Sequence, residues 1–130
     1  MTTEVISLKG CIREYGPRLE RAPQGLVYVG RKWTLGGWDL PSHPLANPFS
    51  VKRYGSREAV VAEYLRLLLR RPDLVGQAVK LRGSILGCWC APDLCHAHVV
   101  AEVADGMTRD QAVAWAAELA AVATRATTAA

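Results

Sequence analysis

No stretch of the sequence approaches the roughly 20 uninterrupted apolar residues that a membrane span requires. Its start, Met1-Thr2-Thr3-Glu4, has neither the basic residues nor the apolar run of a secretory signal. Both absences make a soluble chain with no membrane partner the expectation, and the cytoplasm its compartment. Internal repeats and low-complexity tracts are missing as well, which sets aside repeat architectures. Also missing are the paired C-x-x-C knuckles of common zinc modules, although the chain holds four cysteines. What is present is ordinary globular material: 130 residues, 50% hydrophobic and 22% charged, the size of one domain able to bury its own core.

The formal charge of +4 is unevenly placed. Lys52, Arg53, Arg57, Arg66, Arg70, Arg71, Lys80 and Arg82 fall in one segment opposed by Glu58, Glu63 and Asp73, while the rest of the chain is close to neutral. Such a segment reads first as a solvated helix face. It can also attract phosphate or nucleic acid, with Arg66, Arg70 and Arg71 beginning a patch.

Residues 1–25 carry Gly10, Gly16, Pro17, Pro23 and Gly25 with mixed polarity, and read as an N-terminal arm. Leu26 to Val29 is a β-prone run closed by Gly30. A long Gly- and Pro-rich loop with Trp33 and Trp38 follows, up to Tyr54; loops of this length are usually functional or disordered, and tryptophans argue for order. Ser56 is placed to cap a helix whose core face is Val60, Val61, Tyr64, Leu65, Leu68 and Leu69. Pro72 and Gly83 bracket a second, shorter helix. Ser84 to Cys90 reads as another core strand, Asp93 as a cap, and Cys95 to Asp105 as a helix ended by Gly106. Thr108 and Gln111 form a capping box for a last helix through Val113, Trp115, Leu119 and Val122, and residues 124–130 are expected to fray. The order strand, loop, helices, strand, helices predicts an α/β fold: a single compact layered domain over 26–123, with a small, mostly parallel sheet flanked by helices.

The strongest chemical signal is Cys88-Trp89-Cys90-Ala91-Pro92-Asp93-Leu94-Cys95-His96-Ala97-His98. Side chains two apart on a strand share a side, so Cys88 and Cys90 can offer both sulfurs to one ion while Trp89 turns the other way. Pro92 turns the chain, Cys95 opens a helix, and His96 and His98 add nitrogen, giving Cys88, Cys90, Cys95, His96 and His98 as candidate ligands of a zinc ion. Cys11 stands apart. The same residues allow a metal-free alternative in which Cys95, at a helix N-terminus beside His96, is a nucleophile or redox thiol. In a ligand pocket beyond the strand ends, Arg31 or Lys32 would contact an anion, Trp33 or Trp38 would stack on a ring, and Asn47, restrained by Pro48, would line the wall.

The run Val27 to Arg31 leading to Asn47-Pro48-Phe49, together with Gly87-Cys88-Trp89-Cys90-Ala91-Pro92 leading to Cys95-His96, resembles an uncharacterised bacterial and phage family classed as a domain of unknown function. The likeness covers roughly residues 26 to 105 and places Asn47, Cys88, Cys90, Cys95 and His96 in its shared motif. Members often carry an acidic residue where this chain has His98, which favours His96 as the nitrogen ligand.

Three functions follow as expectations. The first is a zinc-bearing domain that binds a nucleotide-like or other anionic small molecule between the two loops, and acts on it with Asp93, Cys95 or His96 handling protons. The second is a nucleic-acid-binding or accessory module whose zinc is a staple. The third is the metal-free Cys95 enzyme or redox protein.

Overall fold

Three short strands, all parallel, carry the architecture: β1 (Glu4–Ser7), β2 (Leu26–Tyr28) and β3 (Ile85–Cys88), in the order β1-β3-β2. The computed structural model describes the backbone of residues 2–129 and side chains through position 126. Val5 and Val27 pair with Leu86, and Ile6 and Tyr28 pair with Gly87. Since side chains alternate across a strand, the two rows face opposite ways. Val5, Leu86 and Val27 belong to the larger core, whereas Ile6 and Tyr28 belong to a second cluster built on Leu8, Trp38 and Leu40. Gly87 sits in the second row because a Cβ there would lie 3.0 Å from Leu8 Cδ1.

The larger core is closed by α3 (Arg57–Leu69), α4 (Pro72–Val79), α5 (His96–Ala104) and α6 (Arg109–Ala129). Ser56 caps α3, its hydroxyl accepting from Ala59 N–H at 3.1 Å, and Val60, Val61, Tyr64, Leu65 and Leu68 are buried at the predicted spacing. Pro72 opens α4, and the Thr108–Gln111 box opens α6 with both reciprocal bonds, at 3.1 and 2.8 Å. Helix α6 presents Ala112, Ala116 and Leu119 inward; small residues let it lie close against α3, while Val113 stays half exposed at 49%.

Several expectations change. Residues 1–25 are more than an arm: they supply β1 and the single-turn helix α1 (Ile12–Tyr15). Thr3 is buried and gives its N–H and hydroxyl to the Asp105 carboxylate at 3.0 and 2.7 Å, which ties the β1 end to the α5 end. The strand expected over 84–90 is shorter. A one-turn helix, α2 (Val51–Tyr54), ends the long loop, and Cys95 rather than Asp93 occupies the N-cap of α5. The backbone expected to fray from 124 is helical through Ala129; position 130 and the side chains of 127–129 lie outside the described residues. None of the described helices is long and apolar enough to cross a membrane.

Because all strands run the same way, the segments following Ser7, Tyr28 and Cys88 leave the sheet at one edge. The energetic centre is the Val5–Leu86–Val27 row. Leu86→Ala is expected to lower the unfolding free energy by about 2–5 kcal/mol and Val113→Ala to change it by less than about 0.5 kcal/mol, both read from urea denaturation.

Candidate site at the carboxyl edge of the sheet

The strand alternation continues past the end of β3. Cys88 is buried in the larger core, Trp89 turns to the second cluster, and Cys90 returns to the first side. The turn at Cys90 is closed by Asp93 N–H donating to the Cys90 carbonyl at 2.9 Å, after which Cys95 caps α5 with its sulfur 3.5 Å from that of Cys88. Cys90 lies with Cys95 in the wall of one cavity, and the two thiols shift each other's pKa.

The Asn47-Pro48-Phe49 segment comes down beside these thiols. Arg31, just beyond β2, holds it by donating from Nε to the Asn47 carbonyl at 2.6 Å and from Nη2 to the Phe49 carbonyl at 2.8 Å. Asn47 Oδ1 accepts from Phe49 N–H at 2.9 Å, an Asx turn that fixes the loop locally. The Tyr64 hydroxyl of α3 donates to the Leu45 carbonyl at 2.6 Å. The two loops thereby enclose a cavity of about 150 Å³ whose walls include Asn47, Phe49, Arg57, Cys90, Leu94, Cys95 and His96.

The expected site residues separate into two groups. Asn47, Cys90, Cys95 and His96 meet at the cavity, and Cys88 packs against Cys95 from outside its walls. Trp33 and Trp38 are not there. They pack on Trp89 across the sheet, with ring centroids 5.3 and 5.5 Å away, beside Tyr28, whose hydroxyl accepts from Trp89 Nε1 at 3.0 Å. The reason is the alternation that turns Trp89 from its flanking cysteines: three indoles bury more area together than one could in a small cavity. Gly30 makes room for this cluster, since a Cβ there would fall 2.4 Å from the Tyr28 hydroxyl. Arg31 acts as a brace for loop carbonyls rather than as a free anion contact.

Both histidines are turned to the backbone. Buried His96 places Nε2 2.8 Å from the Val29 carbonyl, where the neutral ring donates, with the Tyr64 ring edge-on at 5.2 Å. Burial pushes its pKa down to about 4, against the raising effect of the Val29 carbonyl. His98 Nδ1 accepts from Cys95 N–H at 3.1 Å. The five-residue ligand set is therefore not assembled. Among the described residues, no group of three or more His, Cys, Asp or Glu side chains is disposed to hold a metal ion.

The thiols differ in character. Cys90 is held down to about 5, first by the Cys95 thiol donating to it and then by Arg57 and Lys9, which together outweigh burial. Cys88 is held at about 7 by the same Cys95 donor and by the N–H groups of Ala91 and Cys90. Cys95 moves up, because its proton is shared with both neighbours and its sulfur is buried. The pKa of the helix-capping thiol expected as nucleophile thus moves up, and that of its neighbour on the turn moves down. Lys9 is missing from the residues expected at the site, and Arg57 is expected only as one charge of the basic segment; their signal is that each lies just beyond or at the start of an element meeting this edge. Asp93 is 70% exposed and 3.9 Å from Arg57, outside the cavity walls. Two arginines of the basic segment meet acids: Arg66 bonds Glu63 at 2.7 Å, and Arg71 forms two bonds to Asp73 at 2.9 and 2.8 Å.

Residues 12–106, which include the whole thiol segment and its facing loop, match the family model described as "Domain of unknown function (DUF4326)". The chain belongs to this family. It is also similar to "Uncharacterized protein R718" of Acanthamoeba polyphaga mimivirus, with 41% identity over 64 residues that span 49% of this chain and 48% of that protein. The chain thus matches about half the length of this relative, which is viral but comes from a mimivirus rather than from the bacterial and phage setting expected. No solved structure matches. The DUF4326 segment begins after β1 and ends before α6, so it contains both loops of the site and two of the three strands.

His96 makes the fold sensitive to acid. Its folded pKa of about 4 lies below the ordinary 6.5, so as pH falls through this window the unfolded chain takes up a proton that the folded one refuses. Stability is complete above about pH 6.5 and is lost progressively toward pH 4. Wild-type protein should lose about 2 kcal/mol from this group between pH 7.5 and about 5, and His96→Gln, whose amide can still donate to Val29, should lose less over the same range in urea unfolding.

Proposed function

We propose that this domain binds a small molecule through an anionic group at the carboxyl edge of the sheet, with Arg57 as the principal counter-charge and the Cys90 thiolate beside the bound group. The observation that carries the reading is the cavity of about 150 Å³ between the Asn47–Phe49 and Cys90–His96 segments, with a guanidinium in its wall. Lys9 acts on Cys90, and Arg31 on His96, from the same edge. The local field is cationic even after Cys90 and Asp93 are counted. Enclosure favours binding, since a charge pair at low effective dielectric is stronger than one in water.

Size narrows the ligand. Pockets for whole drug-sized molecules run to about 300–1,000 Å³, so this one takes a head group such as a phosphate or carboxylate, and the remainder of a nucleotide-like molecule would lie outside it. The ion pairs of Arg66 on α3 and Arg71 at the start of α4 reduce the charge that a nucleic-acid surface there would need, which favours the small-molecule reading over the nucleic-acid one. The zinc expected from the sequence enters as an alternative occupant of the three sulfurs. Elemental analysis measures it: about one zinc per chain would replace the free-thiol description.

The test is a thermal-unfolding titration with orthophosphate and adenosine monophosphate at low ionic strength. Ligand at about 100 times its Kd stabilises by about 2.7 kcal/mol, so wild-type Tm should rise with saturating anion. Arg66→Gln, on the exposed side of α3, should rise equally, and Arg57→Gln should not. A flat wild-type response to both probes, or an equal rise in Arg57→Gln, would sink the reading.

A further inference from the structure

At the opposite end of α3 from the cysteine turn, a second cavity of about 290 Å³ opens between α3, α4, the last turn of α5 and the start of α6. Its floor is apolar: Leu65, Leu68, Val103 and Ala112 are buried there, and Val75 and Met107 are partly so. Its mouth is polar. Arg109 is the one charged side chain among the lining residues, and its Nη1 donates to the Leu69 carbonyl at 3.0 Å. That bond anchors the guanidinium at the rim and leaves most of its N–H donors for a partner. Thr108 stands beside it, its hydroxyl accepting from Gln111 N–H at 3.1 Å while keeping its own proton to donate. No acid is among the lining residues; Asp110, next along α6, lies outside the walls, and Asp73 is held by two bonds from Arg71. The cavity shares no wall residue with the one beside Cys90. Met107, Thr108, Arg109 and Ala112 also lie beyond residue 106, where the match to the family model ends.

We propose that this cavity binds an amphiphilic carboxylate of medium chain length, with its hydrocarbon on the Leu68, Val103 and Ala112 floor and its carboxylate at Arg109. Apolar surface held open to water is unfavourable, and covering it with hydrocarbon returns free energy in proportion to the area covered. The volume lies near the lower end of the roughly 300–1,000 Å³ found for ligand pockets. It admits one short chain whole, where the cavity beside Cys90 admits only a head group. Charge decides the head group. A single cation with a hydroxyl beside it, at an otherwise apolar mouth, complements one anionic group, and a planar guanidinium meets a carboxylate through paired N–H donors. A nucleotide fits poorly, because the floor offers no polar side chain to a base or sugar, and burying those groups unpaired is costly. The described end of the chain stays far from the mouth, since α6 leads away from it for 21 residues, about 30 Å at the usual helical rise.

This site is independent of the anion reading beside Cys90, and different probes and variants test it, so either can fail alone. Full-length protein is titrated by isothermal calorimetry with sodium octanoate, below its micelle concentration and at low ionic strength, and with octanol as the uncharged probe. Wild-type protein should bind one octanoate per chain, with the negative heat-capacity change of apolar burial, and its Tm should rise. Arg109→Gln should bind octanoate about five- to tenfold more weakly and octanol as wild type does. Added salt should weaken octanoate and spare octanol. Val75→Phe fills the cavity from α4 and Ala112→Leu fills it from α6; each should bind neither probe, and either one serves if the other fails to fold. The proposal is overturned if wild-type protein takes up no octanoate, takes up several per chain, or is unfolded by it. It is equally overturned if Arg109→Gln binds octanoate as tightly as wild type, or if a folded, filled variant still binds it. A dimer in sedimentation that Val75→Phe disperses would also overturn it, by making the cavity an interface between copies of the chain.

Discussion

The parallel pairing of β1 and β2 on either side of β3 is the constraint from which the rest follows. Parallel strands cannot be joined by tight turns and need crossovers, so the chain leaves the sheet three times at the same edge and returns by way of helices. That geometry brings Lys9, the Asn47–Phe49 loop and the Cys90–Cys95 turn together although they are distant in sequence. Alternation along β3 then sorts what each face receives. Leu86 and Cys88 go to the helical core, Gly87 and Trp89 to the aromatic side. A one-residue slip in this register would exchange the two sets and place an indole where the thiols now meet.

Much of this was legible from residue order. The apolar spacing of α3, the capping serine, the proline opening α4 and the Thr108–Gln111 box are local signals, and each element formed where its signal lay. The common side of Cys88 and Cys90 and the meeting of the two loops followed from period two and from parallel topology. The losses were long-range. β1 is four residues long, and its anchor is the Thr3–Asp105 contact across 102 positions, which no local pattern announces. The placement of Trp33 and Trp38 depended on Trp89, and that of His96 on a carbonyl at the end of another strand. Arg57 looked like one more charge on a basic helix. Its role comes from standing at the first turn of α3, where the helix start meets the cysteine turn.

The chemistry at the site comes from a shortage of protons. Cys95 has one to offer and two sulfurs beside it, and the protein adds cations next to only one of those two. Three residues of the same type thereby acquire three different characters, set by burial, donor count and charge rather than by identity. Turning His96 and His98 to backbone groups completes the division, His96 Nε2 meeting the Val29 carbonyl and His98 Nδ1 the Cys95 N–H.

Trp89 is joined by peptide bonds to both Cys88 and Cys90, and its ring is gripped by Tyr28, Trp33 and Trp38 on the opposite face of the sheet. Backbone rotation that moves one sulfur must therefore swing the indole against its cage. The aromatic cluster works as a clamp on a lever whose other arm carries the thiols, and it holds the sulfurs in register. Any event that pulls them out of register would be transmitted, through a single residue, to the far side of the molecule.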